Sequence, residues 1–215
     1  MKKLFALIAV AGALVAGWWF KEGTATINDL LTKNEQLKEA ISNLTEEERI
    51  GYAKVIRQEK VGGMLKTTIR FVEIARDDQT KLSDAEFTVD GDVLYFDGMV
   101  VVFPEELVID GSARAIFLWR RIFGEHQEPT YGLKIGKAGE EPARYREFFD
   151  KVDPENNETF WEGIWKLAND AQGLDEHGIR VIQGEAISQK MVPGIVYTFI
   201  LENTGLVRVE KGPDI

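Results

Sequence analysis

The chain has 215 residues, with 26 Lys and Arg against 36 Asp and Glu, a formal charge of −10, two histidines, no cysteine and 44% hydrophobic residues. Without cysteine there is no disulfide framework, thiolate metal site or cysteine nucleophile. The acidic balance opposes nucleic acid, whose phosphates are held by Lys and Arg, and the apolar fraction is enough to bury a real core.

Met1-Lys2-Lys3 precedes an uninterrupted apolar run from Leu4 to Phe20, which Lys21 and Glu22 close. At about 1.5 Å per residue the run reaches roughly 25 Å, close to a hydrocarbon core of about 30 Å, and flanking lysines snorkel over the difference. Trp18, Trp19 and Phe20 stand where an aromatic belt meets the outer interface. Lysines before the run place the N-terminus in the cytoplasm. The expectation is a signal-anchor over residues 1–22 in a bacterial inner membrane, with everything beyond it periplasmic. The alternative is a secretory signal cleaved near Ala25, at the small-x-small triplet Gly23-Thr24-Ala25.

Residues 23–50 read as a helical stalk. Ile27, Asn34 and Ile41 fall at heptad position a, and Leu30, Leu37 and Leu44 at d. β-Branched residues at a, leucine at d and one polar a residue favour a parallel two-stranded coil, in which the asparagine fixes register. Tethering to one membrane raises the effective concentration of such a short seam. The alternative is an amphipathic helix packed on its own head. Anchor, aromatic edge and Asn-containing zipper together resemble the arrangement in bacterial divisome leucine-zipper proteins. The likeness covers residues 1–45 alone, and no family is assigned from it. Thr45 and Glu48 have capping-box spacing, which predicts a break in the helix and a fresh short turn.

Residues 51–215 read as the head. Tyr52–Val61 and Met64–Ala75 are rich in β-branched and aromatic residues and flank Gly62-Gly63, a hairpin signature. Glu86–Val89 and Val93–Phe103 flank Asp90-Gly91-Asp92 and read as a second pair. Pro104 to Leu107 starts a helical turn. Ala115–Phe123 reads as a strand with Arg120 and Arg121 on opposite faces, followed by a loop from Gly124 to Pro142. Helices are expected over Ala143–Lys151 and Glu158–Ala171, the second with an apolar face that includes Trp161 and Trp165. Strands return over Arg180–Met191, Ile195–Leu201 and Leu206–Glu210, the last two joined by a turn at 202–205. The fold class is α+β: an N-terminal transmembrane helix and short coiled-coil stalk, then a mainly antiparallel β head with one or two packed helices.

Chemistry has few places to sit. His126 and His177 lie beside acids and glycines, and neither has a second His at metal-ligand spacing. Asp90, Asp92 and Asp97 lack the spacing of a calcium loop. No nucleophile elbow, Walker loop or dinucleotide fingerprint occurs. No catalytic, cofactor or metal site is therefore assigned. Trp161 and Trp165, one turn apart, are the candidate partner or ligand surface, against the more frequent fate of such residues as core. The resulting expectation is a non-enzymatic, single-pass cell-envelope protein. It forms a homodimer or hetero-oligomer through its stalk and contacts other envelope proteins. The alternatives are a tethered binding module for a small or lipidic ligand, with Trp119, Trp161 and Trp165 lining a cavity, and a carboxylate-dependent hydrolase.

Overall fold

Gly62 and Gly63 take φ of +62° and +88°, a tight turn that only residues tolerant of positive φ make cheaply. They join β1 (Glu47–Val61) to β2 (Met64–Ile74), antiparallel from Val61↔Met64 to Gly51↔Glu73. The computed structural model describes residues 46–111, 113–136, 140–146, 157–167 and 179–214, with 38 and 42. The chain falls into two units, residues up to Ser42 and residues from Asn43 on. In the first unit, Lys38 and Ser42 are helical and exposed. Leu4–Phe20 with its interfacial Trp18, Trp19 and Phe20, and the heptad residues Ile27, Leu30, Asn34, Leu37, Ile41 and Leu44, lie outside the described residues. Among the described residues no helix is long and apolar enough to cross a membrane.

The second unit is mainly antiparallel β with few helices. β3 (Lys81–Asp90), β8 (Ile195–Glu202) and β9 (Val207–Pro213) complete a five-stranded sheet in the order β3-β2-β1-β8-β9. β4 (Val93–Val102), β5 (Ile116–Gly124), β6 (Leu133–Lys134) and β7 (Val181–Lys190) form a four-stranded sheet in the order β6-β5-β4-β7. The inner faces of the two sheets share one core, in which Phe71, Phe96, Phe117, Trp119 and Phe199 interlock. Trp119 meets Phe71 and Phe199 edge-on at centroid distances of 5.0 and 5.3 Å, a favourable aromatic geometry.

Among the described residues, short helices include α1 (Glu105–Ile109) and α2 (Asn157–Leu167). α2 packs Trp161 and Ile164 on the outer face of the four-stranded sheet, against Met99, Val101, Ile116 and Leu118. Period-2 alternation in β4 serves both layers: Leu94, Phe96, Val100 and Val102 point between the sheets, while Met99 and Val101 point to the helix.

A helical turn at 143–146 carries Tyr145 into this outer layer, with its ring 5.7 Å from that of Trp161. β6 is only two residues long and pairs at Arg121 and Ile122, so on the side away from β4 the first half of β5 has no neighbouring strand among the described residues. The Tyr145 hydroxyl stands in for it, accepting from the Phe117 N–H at 2.8 Å and donating to the Phe117 carbonyl at 3.3 Å. Burial pushes the phenol up to about 12, so it stays protonated and able to donate. Tyr145→Phe is expected to cost about 1–2 kcal/mol, because a buried N–H and carbonyl lose their partner while the ring remains. A change in urea midpoint below what about 0.5 kcal/mol produces would refute this role.

Three expectations change. The stretch with the capping-box spacing opens a strand instead of a helical turn: Glu47 and Glu48 pair with Glu202 and Leu201 of β8, and long-range pairing overrides the local signal. β3 and β4 are consecutive and turn at Gly91, φ +97°, yet they belong to different sheets. Asp90 pairs with Lys66 of β2, and Leu94 with Gly124 of β5, so the Asp-Gly turn is a corner between layers.

The third change concerns Arg120 and Arg121, which share one face. A register shift between Asp97 and Gly98 sets Asp97 opposite Arg121 and Gly98 opposite Trp119, leaving Arg120 as the extra residue of a β-bulge. Both guanidiniums then reach Asp97, at 2.6 and 2.8 Å.

Candidate functional site

The open end of the sandwich where β1 begins is closed by charge. Glu48, with a side chain 16% exposed, faces inward from β1 and is surrounded by three arginines from three different connections. Arg76, just after β2, donates through Nε at 3.0 Å. Arg144, from the helical turn at 143–146, donates through Nη2 at 3.0 Å, and Arg114, just before β5, lies at 3.4 Å. Arg144 is the most enclosed of the three, its side chain 1% exposed, and its Nη1 also donates to the Ile74 carbonyl. Arg114 binds Glu46 as well, at 2.6 Å.

Burial raises the Glu48 carboxyl, but the charges and hydrogen bonds of Arg76 and Arg144 outweigh it and hold the group below the ordinary 4.5. Glu73, on β2 beside this cluster, behaves in the opposite way. Burial pushes it up to about 7, against the pull of Arg144.

Asn203 links this cluster to a neighbouring cleft. Its backbone N–H donates to the Glu46 carbonyl at 3.1 Å, and its side-chain oxygen accepts from the Ala115 N–H at 3.2 Å. The cleft, about 450 Å³, has Val102, Phe103 and Val108 as its apolar floor and Glu47, Glu105, Arg180, Glu202 and Thr204 among its polar lining. Arg208 engages both Glu47 and Glu202. Arg180 and Glu105 have no side-chain partner among the described residues, so this polar rim offers one free guanidinium and one free carboxylate.

The residues singled out from sequence are dispersed. Trp161 is 0% exposed, and Trp165 is partly buried with Nε1 donating to the Glu140 carbonyl at 3.4 Å. The two indoles therefore form no exposed patch, and Trp161 is core. Trp119 belongs to the inter-sheet core and Trp161 to the outer layer, on opposite faces of the four-stranded sheet, so the three tryptophans line no common cavity.

The three aspartates are also separated by their partners. Asp90 pairs with Lys66, Asp92 with Lys190 and Asp97 with two arginines. His126 is exposed in the turn after β5, and the acid before it is engaged with backbone: Glu125 accepts from the N–H groups of Asp92 and Val93. His177 lies outside the described residues.

Glu48, Arg76, Arg114, Arg144 and Glu73 were not legible as a group, because their convergence depends on three loops meeting at one end of two sheets. The local signal was slight: Glu48 and Glu73 share strand faces with Ile50 and with Ile69 and Phe71, in strands that carry many other charged residues. Neither a family model, nor a curated protein, nor a solved structure matches the chain.

Proposed function

We infer that this is a single-pass, membrane-anchored extracytoplasmic interaction protein, a subunit or scaffold of a cell-envelope complex whose stalk dimerises. The observation that carries the reading is the order of the N-terminal segments: a lysine-flanked apolar run, an aromatic edge and an Asn34-centred heptad seam, directly ahead of a folded head. The head's architecture suits a tether. Its first strand, β1, runs between β2 and β8 in the middle of the five-stranded sheet, and the start of that strand is clamped through Glu48 to three arginines. A pull from the anchor would thus be delivered to the centre of the sheet instead of to a frayed edge.

The test uses the full chain. Expressed in bacteria, it should stay in the membrane after alkaline carbonate extraction, with its head open to protease from the periplasmic side. In mild detergent, light scattering should give a dimer that Leu37→Asp weakens severalfold. Recovery of the full chain as a soluble cytoplasmic protein would overturn the anchor, and a monomer at all concentrations would overturn the stalk.

A further inference from the structure

Among the described residues the two sheets leave four edges, and they are not guarded alike. Natural edges are blunted by shortness, bulges, charge or proline, because a row of free N–H and C=O groups templates pairing with another chain. β6 is two residues long. β3 is bulged against β2 and carries Lys81, Asp84, Glu86 and Asp90. β9 carries Arg208, Glu210, Lys211 and Pro213. β7 has the fewest of these devices: it runs ten residues in unbroken register with β4, contains no proline, and bears charge only at Glu185 and at its last residue, Lys190. Its end is held firmly, since Tyr197 donates to the Lys190 carbonyl at 2.7 Å and accepts from the Val192 N–H at 2.9 Å. Among the described residues no strand lies on its outer side.

The register identifies which backbone groups are free. Met191 donates to the Asp92 carbonyl at 2.8 Å, and antiparallel ladder bonds alternate every second residue. The odd-numbered residues of β7 therefore bond β4, while Ile182, Gly184, Ala186 and Ser188 turn their N–H and C=O groups outward, and so does Lys190, whose carbonyl already accepts from Tyr197 and whose N–H is the group left to pair.

A second copy of the same strand, related by a two-fold axis normal to the sheet, must set one residue opposite itself. Only centring on Ala186 matches all five outward residues, Gly184 facing the partner's Ser188 and Ile182 the partner's Lys190. In that register Glu185 faces the partner's Ile187, so no like charges stand directly opposite and the two Glu185 side chains are only diagonal neighbours. Centring on Glu185 would oppose two carboxylates and use groups already bonded to β4.

We propose that β7 is a self-pairing edge, joining two heads antiparallel about Ala186 into one continuous eight-stranded sheet. This interface is separate from the stalk and does not rest on it. The partner is a second copy of this chain, identified by the match of free backbone groups and by the absence of like-charge opposition in a single register.

The chain has no cysteine, so single substitutions read this directly by disulfide formation in the full-length protein in mild detergent. Self-opposed residues of a hydrogen-bonded pair have Cα atoms about 5.5 Å apart, within the roughly 4.4–6.8 Å a disulfide spans, and each two-residue step from the axis adds about 13 Å. Ala186→Cys should give roughly fivefold or more cross-linked dimer than Ile182→Cys, Ser188→Cys or Lys190→Cys. Adding Ser188→Pro, which removes an outward N–H and leaves the β4 ladder intact, should abolish the Ala186→Cys product while circular dichroism and melting stay as before. A flat profile, a maximum elsewhere, or a cross-link insensitive to the proline would overturn the proposal. So would a wholly monomeric Ala186→Cys protein, which would reserve the edge for a strand from a different protein.

Discussion

Glu48→Ala is expected to destabilise the head by about 3–5 kcal/mol, the range for breaking a buried ion pair by removing one partner. Alanine leaves Arg144, its side chain 1% exposed, with the Ile74 carbonyl as its remaining acceptor, and leaves Arg76 and Arg114 facing the same space. Desolvation of an unpaired guanidinium is the dominant cost, so the loss should exceed the few tenths expected of an exposed pair. Glu46→Ala supplies the comparison, since its side chain is 36% exposed and holds Arg114 at the rim; a loss below about 1 kcal/mol is expected there. Urea unfolding of both variants against the parent measures the difference. Equal midpoints for the two would mean that the three arginines are solvated well enough not to need Glu48, and that charge does not close this end of the sandwich.

Strand positions were largely legible, because they depend on local alternation and turn residues: the Gly62-Gly63 hairpin, β5 and the three C-terminal strands appear close to where periodicity places them. Sheet membership was not. Asp90-Gly91-Asp92 has the composition of a hairpin turn, and nothing local distinguishes a hairpin from a corner at which the chain passes to the opposite sheet. β3 starts at Lys81, five residues before the first residue assigned to it from sequence. Its signal was there in Asp77, which accepts from the backbone N–H groups of Gln79 and Thr80 and from the Thr80 hydroxyl, a turn that reverses β2 into β3.

The arginine pair shows the other limit. Alternation puts Arg120 and Arg121 on opposite faces, and a single bulge, invisible in composition, puts both on Asp97. The helix was legible as apolar on one face, and its fate as core follows from what the sheet offers: Met99, Val101, Ile116 and Leu118 form an apolar outer face that Trp161 and Ile164 cover.

Glu73→Gln should do the opposite of Glu48→Ala, raising stability above about pH 7 by on the order of 3 kcal/mol. The folded carboxyl titrates near 7 and the unfolded one near 4.5. Between those values the folded state binds more protons than the unfolded state, so the parent loses stability as pH rises through the window and levels off above it. Gln cannot ionise, and its curve should stay flat where the parent falls, meeting it again near pH 4.5. Arg144 would relieve a charged Glu73, but its Nη2 is already committed to Glu48 and its Nη1 to the Ile74 carbonyl, so burial prevails. Glu48, held below its ordinary value, contributes stability that is present above about 4.5 and is lost as pH falls through its folded value. The two glutamates therefore set opposing slopes on either side of the same guanidinium, and the parent should be most stable in mildly acidic solution. Denaturation midpoints at intervals from about pH 4 to pH 8 test this, and parallel curves for parent and Glu73→Gln across that range would sink it.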